Sequence, residues 1–108
     1  MNPEIVIAMY KPHEGKDIEL RALIRKHVPT LRRLELITDR PALLAQAQNG
    51  TYLEIFEWRE VGRVHEHPEV ARIWEAMELV ADLVSLSSLD EAKRSFPHFK
   101  PVELEGPA

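Results

Sequence analysis

The sequence predicts an α+β domain in which two helices cover one face of a single antiparallel sheet. Three observations predict it: a strongly apolar segment near the N-terminus, two segments with helical spacing of apolar residues, and an Asn-Gly dipeptide between two extended segments. At 108 residues the chain is long enough to bury a core of its own. We therefore expect residues 1–108 to form one domain.

The first predicted elements are a strand and a helix. Glu4 to Tyr10 is a nearly unbroken apolar run, which is typical of a strand buried on both faces. After a loop marked by proline and glycine, apolar residues recur every three or four positions from Lys16 to Leu34. This spacing predicts a helix with one buried stripe, which includes His27.

The middle of the chain predicts a β-hairpin. The residue before a proline avoids the helical conformation, so a bend at Pro41 leads into a strand over Ala42 to Gln48. Asn49-Gly50 is typical of a two-residue hairpin turn, since both residues tolerate positive φ. The strand Thr51 to Trp58 then returns antiparallel to its neighbour.

The C-terminal half predicts a second helix and a fourth strand. Pro68 suits the first turn of a helix whose buried stripe extends from Val70 to Ala81. We expect the fourth strand over Asp82 to Ser88, a short extra helix over Leu89 to Arg94, and an extended tail from Ser95 to Leu104. The order β-α-β-β-α-β is that of the ferredoxin-like fold.

Both faces of the strand that ends at Trp58 are apolar. Leu53 and Ile55 point to one side. Tyr52, Phe56 and Trp58 point to the other. The helices cover only one face, so the second face needs another cover. We expect a second copy of the chain to supply it, with the C-terminal tail reaching across, and predict a symmetric homodimer.

Composition and charge exclude several classes of protein. A chain without cysteine has no disulfide, thiolate metal site or cysteine nucleophile, which fits a reducing cytoplasm. A net charge of −4, with 14 Lys and Arg against 18 Asp and Glu, argues against a nucleic-acid partner. The N-terminus lacks a signal-peptide pattern, and no apolar run approaches the ~20 residues that span a bilayer. We expect a cytoplasmic protein that does not bind membranes.

Two residues are candidates for catalysis. Glu54 shares a strand face with aromatic side chains, which remove water from a carboxyl group, so it is a candidate general acid or base. The alternative is an ion pair with Arg40 or a wet position at the sheet edge. His65 precedes the second helix, whose N-terminus favours the neutral imidazole. It is a candidate base or hydrogen-bond donor, or else a capping or surface histidine.

The candidates for substrate binding are aromatic residues and one histidine. Tyr10 ends the first strand, and Tyr52 and Trp58 share the face of the candidate carboxylate. Trp58 and Trp74 either fill the core or line a flat aromatic pocket. His27 is either a core group bonded to an acceptor or a residue of that pocket.

The sequence predicts no metal and no cofactor. His65 and His67 could reach one metal ion only from an extended backbone, and they would need a third ligand. The chain has only four glycines and no glycine-rich phosphate loop. No serine lies in a nucleophile-elbow context.

Four segments carry a resemblance to a known family. They are Tyr52-Leu53-Glu54-Ile55-Phe56-Glu57-Trp58, His65-Glu66-His67-Pro68-Glu69-Val70 with Trp74, Lys26-His27-Val28-Pro29-Thr30-Leu31, and Thr38-Asp39-Arg40-Pro41. With these segments the chain resembles the antibiotic biosynthesis monooxygenase-like domains of the dimeric α/β-barrel superfamily, from about Glu4 to Val102. The resemblance implies a ferredoxin-like homodimer, with a pocket between sheet and helices in each subunit.

The resemblance also implies an activity. A cofactor-independent monooxygenase of this kind would act on a small aromatic or polyketide-like molecule. Glu54 or His65 would remove a proton, and the anion would react with oxygen directly, while Trp58, Trp74 and Tyr10 hold the ring. Heme degradation fits less well, because the first strand has no asparagine where those enzymes typically carry one. The second hypothesis is a non-catalytic small-molecule-binding dimer that uses the same pocket.

Overall fold

The computed structural model describes residues 3–59 and 67–104. Within these ranges the elements are β1 (Glu4–Pro12), α1 (Asp17–Arg33), β2 (Leu43–Gln46), β3 (Tyr52–Trp58), α2 (Pro68–Val80), β4 (Ala81–Leu83) and β5 (Lys100–Val102). The strands form one antiparallel sheet in the order β4-β1-β3-β2-β5. The α+β class is confirmed, and the order of the first four strands is compatible with the ferredoxin-like fold.

The two helices form where the apolar spacing predicts them. The buried residues of α1 lie on one stripe and are Leu20, Ile24, His27, Val28, Thr30 and Leu31. The first turn of α1 contains Asp17 and the last turn contains Arg33, charges that the helix dipole favours. Pro68 begins α2, where its missing N–H has no intrahelical partner to lose.

The hairpin between β2 and β3 differs from the prediction in its turn. The Ala47 N–H donates to the Thr51 carbonyl (2.8 Å) and the Gly50 N–H to the Ala47 carbonyl (3.0 Å), so the loop contains Gln48, Asn49 and Gly50. Gly50 has a φ of 93°, whereas Asn49 is not among the positive-φ residues. The turn is therefore a three-residue loop with one left-handed position, not the predicted two-residue turn with two.

The fourth strand is shorter than predicted. It comprises only Ala81–Leu83, and a 3₁₀ helix over Leu86–Ser88 takes the place of its second half. The Ser88 hydroxyl donates to the Ser85 carbonyl (2.6 Å), and serine side chains of this kind compete with the ladder of a sheet. A second 3₁₀ helix, Asp90–Lys93, replaces the predicted short extra helix.

The C-terminal tail completes the sheet of its own chain. β5 pairs with β2, with Val102 opposite Leu44 and Lys100 opposite Gln46. Pro101 has no N–H to donate, which an edge strand tolerates. The prediction that the tail reaches across to a second copy is wrong for these residues, because they pair within the chain.

The second face of the sheet is apolar and partly exposed. Leu53 packs there with Ala47 and Leu89. Ile7 of β1 is 42% exposed and Leu43 of β2 is 63% exposed. The single chain thus leaves part of this face uncovered, and the homodimer stays a prediction.

Candidate functional site

A hydrogen-bonded chain of four polar side chains, three of them buried and one half-buried, crosses the layer between the sheet and the helices. Its members come from four elements: Tyr10 from β1, His27 from α1, Glu54 from β3 and Trp74 from α2. The Tyr10 hydroxyl donates to Glu54 Oε1 at 2.9 Å, and His27 Nδ1 lies 2.9 Å from the same oxygen. The Trp74 indole Nε1–H donates to His27 Nε2 at 2.9 Å.

These contacts fix the tautomer of His27. An indole N–H can only donate, so His27 Nε2 accepts with its lone pair and carries no proton. The remaining ring proton is then on Nδ1, which donates to Glu54 Oε1. His27 is therefore a neutral imidazole that is oriented by a carboxylate on one side and by an indole on the other.

Glu54 is the most deeply buried member of the hydrogen-bonded chain. It is 0% exposed, and its second oxygen, Oε2, has no hydrogen-bond partner among residues 3–59 and 67–104. A buried carboxylate is stabilised by the donors it accepts from, here Tyr10 and His27. Burial, and then the nearby charge of Glu54, raises the pKa of the Tyr10 hydroxyl well above its ordinary value. Tyr10 is thus held as a proton donor to Glu54.

A cavity of about 250 Å³ lies beside this hydrogen-bonded chain, between the sheet and the helices. Its lining residues are Val6, Ala8, Tyr10, His27, Phe56, Trp58, Trp74, Met77, Glu78, Ala81 and Leu83. Most of them are apolar or aromatic. Glu54 is not among them, but it is hydrogen-bonded to two of them, Tyr10 and His27.

The cavity brings together all the predicted substrate-binding residues except Tyr52. Tyr10, His27, Trp58 and Trp74 line it. The Tyr52 ring is part of the core, and its hydroxyl donates to Asp17 Oδ1 (2.6 Å) and accepts from Arg21 (2.8 Å). These contacts hold Tyr52 against the start of α1 and away from the cavity lining.

Of the two predicted catalytic residues, one lies in the described part of the chain. His65 lies outside it. Glu54 is not paired with Arg40, because Arg40 Nε lies 3.2 Å from Glu57 Oε1. The hydrogen bond from Thr38, and then the pairing with Arg40, lower the pKa of Glu57. Because Glu54 is also fully buried, both alternatives for it, the ion pair with Arg40 and the wet position at the sheet edge, are wrong.

The pairing of Glu54 with His27 was not predicted from the sequence. His27 is both a buried group with an acceptor and a residue of the cavity, so its two alternatives are not exclusive. The strand register contains a usable signal for Tyr10. Ala8 lies opposite Glu54, which makes Tyr10 a diagonal neighbour of the carboxylate.

Residues 3–59 and 67–104 contain no group of three or more His, Cys, Asp or Glu side chains that could hold a metal ion. Nor is any helix within those ranges long and apolar enough to cross a bilayer.

Comparison of this chain with protein-family models, curated proteins and solved structures gave no match. The resemblance to monooxygenase-like domains therefore rests on the sequence segments quoted above.

Proposed function

We propose that this protein is a cofactor-independent monooxygenase-like enzyme that acts on a small aromatic or polyketide-like molecule. The observation that supports the proposal is a histidine in the wall of an apolar cavity, bonded at Nδ1 to a buried carboxylate and accepting an indole N–H at Nε2. In this proposal His27 is the general base. Glu54 acts through His27 as a positioning residue.

Proton removal follows from the geometry of the pair. Glu54 Oε1 accepts the Nδ1–H of His27 and so leaves Nε2 as the basic atom. When Nε2 takes a proton, the imidazolium that forms is stabilised by the carboxylate 2.9 Å from Nδ1. The Tyr10 hydroxyl holds the carboxylate in place from β1. A positioned base of this kind contributes roughly 10²- to 10⁴-fold to a rate.

The oxidation step needs only the substrate anion and oxygen. A ring CH₂ group activated by neighbouring aromatic rings loses a proton to His27. The carbanion transfers electrons to O₂, a C–O bond forms, and the O–O bond of the resulting peroxide breaks with loss of water. One oxygen atom remains in the product as a carbonyl, and the other leaves as water. Apolar walls suit these reaction steps because they exclude solvent from the anion.

The cavity limits the size and shape of the substrate. Its volume of about 250 Å³ lies just below the usual range for pockets that hold drug-sized ligands. Phe56 and Trp58 pack edge to face, with ring centroids 5.0 Å apart, and form one aromatic wall. Trp74 forms another part of the lining. These features favour a flat molecule of two or three fused rings.

The alternative proposal is a binding protein without turnover. The observation that favours it is the hydrogen bond from Trp74, which occupies the lone pair of His27 Nε2. If a ligand does not displace the indole, the base is never free to act. In both proposals we expect a homodimer, since Ile7 and Leu43 leave apolar surface on the second face of the sheet.

Oxygen consumption with an anthrone as substrate tests the enzyme proposal. We expect turnover by the wild type, a loss of at least about 100-fold in His27→Gln, and a loss of at least about tenfold in Glu54→Gln. Binding of the anthrone should survive in both variants. Tyr52→Phe is the control, because the Tyr52 hydroxyl bonds Asp17 and Arg21 outside the cavity lining and its loss should leave turnover unchanged. Binding without oxygen uptake by the wild type would contradict the enzyme proposal and favour the binding protein.

A further inference from the structure

Each donor of the hydrogen-bonded chain is directed at another member of it and not at the cavity. The Tyr10 O–H and the His27 Nδ1–H are both directed at Glu54, and the Trp74 Nε1–H is directed at His27. What these groups offer to the cavity is acceptor capacity: the Tyr10 hydroxyl oxygen and the His27 Nε2 lone pair. A ligand therefore meets acceptors and must supply the donor itself.

The charges around the cavity also discriminate between ligands. The Glu54 carboxylate lies directly behind Tyr10 and His27, and Glu78 is part of the lining. Among the residues 3–59 and 67–104, no Lys or Arg lines the cavity. In an apolar site, where charges are poorly screened, this arrangement disfavours a ligand that is already an anion when it enters the cavity.

Trp74 occupies the position that a ligand donor would take. The Nε2 atom of His27 has a single lone pair, which accepts the indole N–H at 2.9 Å. A ligand hydroxyl can bond this atom only in place of the indole. Trp74 itself lies at the cavity surface, so the exchange takes place within the lining.

We propose that the cavity selects a neutral ring compound with a hydroxyl donor, and that this hydroxyl replaces the Trp74 indole N–H at His27 Nε2. The inference rests on the proposed function in taking His27 as the working group: an anthrone meets Nε2 through the O–H of its enol tautomer, whose deprotonation gives the same anion as loss of a CH₂ proton. It adds the class of ligand and a role for Trp74. Trp74 is a positioning residue that holds Nε2 in the ligand-free protein. It makes binding depend on an exchange of one hydrogen bond for another.

Three two-ring probes test the selectivity by calorimetry at pH 7. 2-Naphthol is neutral and has the donor, 2-methoxynaphthalene retains the oxygen without the donor, and 2-naphthoate is an anion. We expect 2-naphthol to bind at least about tenfold more tightly than 2-naphthoate, which adds a buried charge. It should bind about threefold more tightly than 2-methoxynaphthalene, because the acidic naphthol O–H is a stronger donor to Nε2 than the indole N–H that it replaces. Equal or tighter binding of 2-naphthoate or 2-methoxynaphthalene overturns the proposal, as does a failure of 2-naphthol to bind.

Removal of the indole N–H tests the exchange. Trp74→Phe retains an aromatic ring and leaves Nε2 free, so we expect 2-naphthol to bind about three- to tenfold more tightly than to the wild type. Tyr52→Phe is the control, because the Tyr52 hydroxyl bonds Asp17 and Arg21 outside the cavity lining and its loss should change the affinity less than threefold. Unchanged or weaker binding by folded Trp74→Phe overturns the exchange.

The wild-type protein provides a readout that needs no variant to fold. In ¹H–¹⁵N spectra the Trp74 indole N–H should move upfield when 2-naphthol saturates the site, because its hydrogen bond to His27 is lost. An unmoved resonance at saturation overturns the exchange. Selective binding of 2-naphthol without oxygen uptake from any anthrone would contradict the proposed function and leave this inference standing. Turnover of an anthrone combined with unselective binding of the probes would do the reverse.

Discussion

Glu54 and Tyr10 define the site at the scale of single residues. Glu54 is fully buried and accepts two hydrogen bonds on one oxygen. The alternation of side chains along β3 places it on the face of Phe56, as the sequence predicts. Its partner His27 lies in a helix, and which helical residue meets a given strand position depends on packing. That contact could not be predicted from spacing alone.

The protonation of Tyr10 predicts a pH dependence of stability. Its pKa is raised above 10.0 by burial and by Glu54, so the folded state retains the proton that the unfolded state loses. Stability therefore falls as the pH rises above 10.0, by about 1.4 kcal/mol per pH unit until the folded-state pKa is reached.

The variant Tyr10→Phe should lose this contribution. Urea unfolding at pH 9, 10 and 11 should give a smaller decline than in the wild type. The pKa of Tyr52 is also raised, by burial and by Asp17, so part of the decline should remain in Tyr10→Phe. The control is Tyr52→Phe, in which the contribution of Tyr10 to the decline should remain. Equal declines in the wild type and Tyr10→Phe would mean that Tyr10 is not held as a donor to Glu54.

At the scale of elements, the hairpin that introduces β3 fixes the position of Glu54. The Asn49 side chain accepts the Thr51 N–H (3.0 Å), and the Gly50 backbone closes the loop. A hairpin here was predictable from Asn49-Gly50. The loop length was not, because both turn types use a glycine in the left-handed region.

Substitution of Gly50 tests this element. Gly50 has a φ of 93°, and an added Cβ would meet no heavy atom nearby. The variant Gly50→Ala is therefore strained by its backbone conformation alone. We expect a loss of about 1–2 kcal/mol in the free energy of unfolding, measured by urea denaturation. Gly50→Asn should lose less, since asparagine tolerates this region better. An alanine variant as stable as the wild type would show that the loop adopts another turn.

At the scale of the whole molecule, the two faces of the sheet have different environments. The face with Phe56 packs on the helices and holds the cavity. The opposite face exposes Ile5 and Ile7. The strand order could be predicted from the order of elements, but the pairing of β5 with β2 could not. A tail with two prolines has no periodic signal to indicate which edge it joins.

The predicted homodimer can be tested at this scale. We expect light scattering at tens of micromolar to give twice the mass of the chain, and Ile7→Glu to give a folded monomer, because a charge on an apolar interface costs several kcal/mol. Ile18→Glu is the control, since Ile18 is 83% exposed on α1 and lies away from the second sheet face. A wild-type monomer at this concentration would contradict the prediction.

We propose that His27 removes a proton from a bound ring compound. Exchange of the CH₂ hydrogens of an anthrone with D₂O, followed by NMR without oxygen, isolates that step from the oxidation. We expect the wild type to accelerate the exchange at least about 100-fold over His27→Gln. Exchange at the same rate with both proteins, under conditions in which both bind the anthrone, would contradict the claim.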